Sequence, residues 1–267
     1  MYQSHWGLRE SPFRTCLDRQ FFYQSPTHEE ALARLHFLVE QRRRLGLLMG
    51  PDGSGKSFVI EVFTAQLRRR GRPVAKVNLL GIEPAEMLWL VALELGMNPA
   101  PTASMAALWR LVTDRLLEYR YQQLDTAILF DDADQASRAV LSQVLRLAQH
   151  DCAPEARLTL VLAGQQTQMG RVGDRLLGLT ELRIDIEPWE QADTANYLKA
   201  SLAQAGCQSA VFAEPALARL QELSHGIPRR VNQLADLALL AGAGQEVEQI
   251  GAELVDSVYH ELGVAQV

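Results

Sequence analysis

The sequence predicts an α/β domain, a parallel sheet flanked by helices, followed by a small all-helical domain. Two patterns predict it. Short apolar runs alternate with helical stretches as far as Pro188, which implies a mostly parallel sheet covered on both faces. Beyond Pro188 only helical periodicity continues, in segments separated by Gly or Pro. The division expected is residues 1–188, an α/β domain with an N-terminal arm, and residues 189–267, a helical domain.

The elements follow in order. The segment up to about Gln24 mixes Trp6, Phe13, Phe21, Phe22 and Tyr23 with turn residues and reads as an irregular arm. Residues 25–44 read as a helix, with Ser25 suited to the N-cap and Pro26 to the first turn. There Glu29 and Glu30 complement the dipole, and Leu32, Leu35, His36 and Val39 recur at helical spacing. Strands are expected at LGLLMG (45–50), RPVAKVNLL (72–80), TAILFD (126–131), RLTLVLAG (157–164) and ELRIDIEP (181–188). Helices are expected over 56–70, 83–96, 104–120 and 136–150, and then over 190–206, 214–226, 228–242 and 252–262.

Bulk properties narrow the class. The chain has 267 residues, 48% hydrophobic and 22% charged, enough for a real core and ordinary for a globular protein. A formal net charge of −6 and a pI near 5.6 argue against broad nucleic-acid binding, leaving only a local basic patch. Cys16, Cys152 and Cys207 are scattered, show no metal spacing or disulfide framework, and fit a reducing compartment. No apolar stretch is long enough to cross a bilayer, and MYQSHWGLRE lacks the order of a secretory signal. The expected location is the cytoplasm.

The chemistry starts at Gly50-Pro51-Asp52-Gly53-Ser54-Gly55-Lys56-Ser57, a full match to G-x-x-x-x-G-K-[ST] between an apolar strand and a helix. Glycines let such a loop curl so that its N–H groups face phosphate oxygens, and the helix N-terminus adds partial positive charge. Lys56 is expected at the β- and γ-phosphates of ATP, and the Ser57 hydroxyl on Mg²⁺.

The third strand ends in Asp131 and Asp132, with Asp134 close behind. Magnesium beside a nucleotide needs few protein oxygens, and Asp131 is placed to supply one. Asp132 is placed to orient a water toward the γ-phosphate. The pair would also suit a helix cap, the role expected of Asp134 if it does not simply lie in solvent. The fourth strand runs into LAGQQTQ, where Gln165, or Gln166 in its place, can hydrogen-bond the γ-phosphate or the attacking water; a surface glutamine fits the same spot.

Taken together, these features resemble the AAA+ ATPases, P-loop NTPases with an all-helical lid, and more narrowly the general secretion pathway protein A (ExeA-like) family. The narrower resemblance rests on MYQSHWGLRESPF…FFYQSPTHEEALARL, on LAGQ after the fourth strand and on GIPRRVNQLADLAL, and runs from Met1 to about Leu262. It implies that Arg229, in Gly226-Ile227-Pro228-Arg229, contacts the nucleotide phosphates from the lid. It also implies that the arm around Pro12, Phe13 and Tyr23 walls the adenine side.

There are departures. Asp131-Asp132-Ala133 stands where the family has Asp-Glu-Ala, and aspartate is roughly 1.5 Å shorter, while a displacement near 1 Å can cost about a hundredfold in rate. The family's trans-acting arginine before the last strand falls on Leu179, with Arg171, Arg175 and Arg183 nearby. The membrane span and peptidoglycan-binding module of longer relatives are not expected here.

The expected function is Mg-ATP binding and hydrolysis by an oligomeric switch or assembly factor acting on a protein partner, in secretion- or pilus-type machinery. Two alternatives remain: a nucleotide-gated binding module with little turnover, and a DNA-bound regulator of the transposition type. The clusters Arg42-Arg43-Arg44 and Arg68-Arg69-Arg70 with Arg72 suggest a nucleic-acid track, but their places at helix C-termini favour a dipole role. Trp89 and Trp109, each among leucines, are expected to pack. His28 is expected to pack or to face solvent.

Overall fold

A computed structural model of the chain describes residues 2–13, 21–153 and 155–261. The contacts divide the chain into two compact units, one of residues 28–50 and 56–186, the other of residues 1–27, 51–55 and 187–267.

The first unit is a three-layer α/β structure. Its sheet contains β1 (Leu45–Met49), β2 (Val74–Asn78), β3 (Thr126–Asp131), β4 (Leu158–Gly164) and β5 (Leu182–Asp185). All pairings are parallel, in the order β2-β3-β4-β1-β5. Strands β1 and β3 are buried at every residue, as a central parallel strand covered on both faces must be. The covering helices are α2 (Pro26–Glu40), α3 (Lys56–Arg69), α4 (Pro84–Glu94), α5 (Met105–Tyr121), α6 (Arg138–Ala148) and the short α7 (Asp174–Leu177). At Gly46 an added Cβ would run into the Leu38 side chain, so glycine there lets α2 close on β1.

Local chemistry sets the helix starts. Ser104 caps α5 by accepting from the Ala107 N–H at 3.2 Å, and Ser137 caps α6 by accepting from Val140 N–H at 3.3 Å. The expectation that Asp134 caps this helix or lies in solvent is therefore corrected. Asp134 sits in a 3₁₀ turn, Ala133–Gln135, and is 2% exposed. Trp109 packs as expected, its Nε1 donating to Gln143 at 2.9 Å, and His28 is buried.

The second unit holds α1 (Tyr2–Trp6), α8 (Gln191–Gln204), α9 (Glu214–Ser224), α10 (Pro228–Gly244) and α11 (Ala252–Glu261). The arm belongs to it: residues 1–27 group with the helices after Glu187, where the sequence reading attaches them to the α/β domain. The reason is aromatic burial. Trp6 donates to the Leu239 carbonyl at 2.9 Å and lies against Gly242, where an added Cβ would fall 2.9 Å from its ring. Phe13 is buried near Tyr197 and Phe212, and Tyr23 meets Trp189 and Tyr197 edge-on. The first six residues, read as irregular, contain α1. Cys16 lies outside the described residues; Cys152 and Cys207 are free thiols.

No helix among the described residues is long and apolar enough to cross a membrane. The basic clusters are largely ion-paired. Arg42 and Arg72 meet Asp125, Arg43 meets Glu181, Arg68 meets Glu94 and Arg70 meets Glu40. Those carboxylates offset much of the positive field a nucleic-acid track needs.

Candidate nucleotide site

The loop between β1 and α3 has the backbone its sequence demands. Gly53 and Gly55 adopt φ of 79° and 98°, in the range that favours glycine. Ser54 N–H bonds the Pro51 carbonyl at 3.2 Å, closing the turn. Lys56, buried, donates from Nζ to the Gly50 carbonyl at 3.0 Å. It opens α3, a helix of 14 residues, so positive charge and helix dipole coincide at one point.

In the α/β unit, the tips of β1, β3 and β4 bring the other polar groups together. Asp131 is 7% exposed; it accepts from the Ser57 hydroxyl and, at 3.1 Å, from the N–H of Asp132. Burial pushes its carboxyl above the usual carboxylate range. The Ser57 bond opposes that push, the neighbouring Asp132 charge adds to it, and the Asp132 N–H and Lys56 oppose it. A buried anion with incomplete compensation suits a bound cation. Ser57 Oγ and the Asp131 carboxylate are two hard oxygen donors side by side, the kind Mg²⁺ takes when phosphate and water complete its shell. Among the described residues no group of three or more His, Cys, Asp or Glu gathers to hold a metal alone.

Asp132 leaves the strand in a left-handed conformation, φ 52° and ψ 40°, and is partly exposed. Its carboxylate accepts from Nδ2 of Asn78 at 2.7 Å. Asn78 ends β2 in register with Asp131, and its own Oδ1 accepts from Leu80 N–H at 2.8 Å, which fixes its NH₂ toward Asp132. Sequence reasoning missed Asn78. The signal was there, a polar residue closing an apolar strand next to the one that ends in the carboxylate pair. Gln165 follows Gly164, which pairs with Met49 of β1, so it stands level with the start of the phosphate loop. It is partly buried and accepts from Gln168 Nε2 at 3.0 Å, whereas Gln166 is exposed.

In the helical unit, Arg229 occupies the first turn of α10 and reaches the loop residues that group with this unit. Its guanidinium donates to Asp52 Oδ2 at 2.8 Å, and its backbone N–H to the Gly53 carbonyl at 3.2 Å. Both partners are solvated, at 50% and 65% side-chain exposure, so the pair is weak and exchangeable. At Gly53 a Cβ would press on Arg229 Cβ at 2.8 Å, a second reason for glycine there. A cavity of about 600 Å³ lies beside this pair, lined among others by Pro51, Ile227, Gln233 and Tyr259, and within the usual size of a small-molecule site. Phe13 and Tyr23, expected at the adenine, are engaged in the aromatic cluster of this unit. Of the arginines near Leu179, Arg183 is paired with Asp185, while Arg171 and Arg175 are exposed.

Comparison with known proteins agrees with this fold. Residues 39–170 match the AAA domain family. The chain is 29% identical over 245 residues to general secretion pathway protein A of Aeromonas hydrophila, covering 90% of this chain and 45% of that protein. It thus spans about half the length of the curated relative it matches. Among solved structures it is similar to Cdc6p from Pyrobaculum aerophilum, with a TM-score of 0.73 and 18% identity, covering 94% of this chain and 70% of that one. The Aeropyrum pernix ORC1 protein in complex with DNA gives 0.68 and 18%, covering 96% and 69%. The Thermotoga maritima RuvB branch migration motor gives 0.61 and 13%, covering 96% and 74%. At such identities the structures speak for the fold alone. By motif, topology and comparison, the chain has the AAA+ P-loop fold, matches the AAA domain family over residues 39–170 and is similar to general secretion pathway protein A.

Proposed function

We propose that the protein binds Mg-ATP through residues 50–57, hydrolyses it slowly, and works as an oligomeric switch or assembly factor. The observation that carries the reading is the buried Asp131 bonded to Ser57 beside Lys56. Lys56 and the loop N–H groups hold the phosphates. Ser57 and Asp131 hold Mg²⁺, which when bound neutralises charge on the β- and γ-phosphates. Gln165 donates to the γ-phosphate, Arg229 exchanges Asp52 for phosphate oxygens, and Asp132 orients the water. ATP and ADP bind Arg229 differently, and that difference is what shifts the surface offered to a partner.

The homo-oligomer, the cytoplasmic location, an unidentified protein partner and a place in secretion- or pilus-type machinery rest on the resemblance. The exposed Arg171 and Arg175 are the candidates for an arginine acting on a neighbouring subunit. The DNA-bound reading draws on likenesses to proteins solved with DNA, ORC1 among them; the ion-paired basic clusters count against it.

A second reading, a nucleotide-gated module with little turnover, is favoured by the bond from Asn78 to Asp132. That bond ties up the carboxylate that would activate water, on a side chain already one methylene short. Phosphate release from Mg-ATP by wild type, Lys56→Ala and Asp132→Glu tests both. Measurable turnover that Lys56→Ala abolishes supports the ATPase. A wild type near zero with a large gain in Asp132→Glu supports the gated module. No turnover in any variant, with no ATP binding, contradicts both.

A further inference from the structure

Three glutamine and aspartate side chains outside the assigned machinery form an ordered chain that ends on Gln165. Asp134 is buried against Gly164, where any side chain would collide with its Oδ1. The carboxylate fills the space that glycine leaves there. Its Oδ2 accepts from Gln135 Nε2 at 2.8 Å. The same nitrogen donates its other hydrogen to Gln168 Oε1 at 3.0 Å. Gln168 Nε2 then donates to Gln165 Oε1 at 3.0 Å.

The polarity of this chain follows from its root. An amide can face a neighbour with either its oxygen or its NH₂, and the two differ only in the bonds they make. A carboxylate offers acceptors, so Gln135 must turn its NH₂ to Asp134. Gln168 must then present oxygen to Gln135 and NH₂ to Gln165, and Gln165 must use its oxygen inward. What Gln165 has left is an NH₂ group, at the tip of β4 between the strand that feeds the phosphate loop and the strand that ends in Asp131.

We propose that Asp134 is a positioning residue which, through Gln135 and Gln168, fixes Gln165 so that the strand tip shows a donor and not a carbonyl oxygen to the γ-phosphate. The proposal rests on the reading of Gln165 as the γ-phosphate donor. It makes the tip specific for an anion before any nucleotide arrives, the preorganisation that electrostatic stabilisation requires. The wrong polarity would set an oxygen against phosphate.

The test compares ATP with ADP, because ADP lacks the group Gln165 would meet. Affinities for each, with Mg²⁺, are measured calorimetrically for wild type, Gln165→Ala, Gln168→Glu, their double variant and Asp134→Asn. This readout needs no turnover, and Gln168 is half-buried, so thermal melts of each variant confirm that the fold is kept. Gln165→Ala is expected to lower the preference for ATP over ADP about tenfold, the scale of one hydrogen bond to a charged group. Gln168→Glu puts a second acceptor against Gln165 and inverts it, so it is expected to lose at least as much. The double variant is expected to match Gln165→Ala, since an inverted side chain that is absent does no harm.

Asp134→Asn allows both polarities. It is expected to cost about twofold, from halving the competent population, and to double or broaden the side-chain NH₂ signals of Gln135 and Gln168 in an ¹⁵N spectrum. If Gln165→Ala lowers the ATP preference and Gln168→Glu does not, the relay is wrong and the Gln165 role stands. If Gln165→Ala changes nothing, the Gln165 role falls and the relay with it. If the NH₂ signals of Asp134→Asn match wild type, Asp134 is not the root and the proposal fails.

Discussion

The two units carry their polar residues in opposite ways. In the α/β unit two key charges are buried, and the more exposed Asn78 and Asp132 are held by hydrogen bonds. Lys56 and Asp131 are each 7% exposed, and Asn78 uses both ends of its amide to hold Asp132 and Leu80. In the helical unit Arg229 and Asp52 meet in water, at 50% and 65% exposure. A buried charge is costly to leave unpaired and gives a site its geometry; a solvated ion pair is worth little and changes partner readily. Under the proposed function, metal and phosphate chemistry belong to the first unit and nucleotide sensing to the second.

The contrast can be broken from the buried side first. Asp131→Asn is expected to reduce Mg-ATP turnover by at least a hundredfold, measured as phosphate release, through loss of the metal-positioning carboxylate. It is also expected to stabilise the nucleotide-free protein by about 0.5–2 kcal/mol, read from thermal melts. The sign follows from the raised carboxyl. Its protonated form is the one the fold favours, so that advantage is full below the unfolded value and is lost as pH rises through the folded one. The gain in Asp131→Asn should therefore be present at neutral pH and shrink in acid. A variant less stable than wild type at neutral pH would show that the buried charge is already compensated.

Trp6→Ala attacks the other unit. Removing a buried indole costs about 3–5 kcal/mol, and the loss should appear in amide exchange of α10 and spare β3. Equal loosening of both would mean that the arm serves the sheet unit too. Asn78→Ala is expected to raise phosphate release about threefold to tenfold, the worth of one hydrogen bond to a charged group, by freeing Asp132. A fall instead would make Asn78 a support for catalysis. The smallest effect belongs to the solvated pair. Asp52→Ala should tighten ATP about twofold to fivefold by freeing Arg229, an exposed pair being worth 0.2–1 kcal/mol or so, and the calorimetric gain should vanish in Arg229→Ala.

Much of this was legible in the chain because the signals were local. Apolar positions marked β1 to β4, five to seven residues each, and the four-residue β5, and the glycine loop announced its own backbone. What stayed hidden depended on partners distant in sequence. The arm's attachment is set by Trp6 meeting Leu239 and Gly242, and Asp134's burial by its contact with Gly164. Gln168 lies in a 3₁₀ segment with no apolar period, and Asn78 is meaningful only once β2 is known to lie beside β3. By residue type Asp134 suited a cap; only the fold shows that the exposed Ser137 hydroxyl takes that place while the Asp134 carboxylate is buried beside Gly164 at the tip of β4.

The central claim is that residues 50–57 bind nucleotide phosphates with Asp131 supporting the metal. Calorimetric titration of Mg-ATP into wild type and Lys56→Ala tests it most directly. The account predicts saturable binding by wild type, weakened at least a hundredfold in Lys56→Ala, where the buried ammonium is gone. Equal binding by the two proteins, or none by wild type, would contradict it.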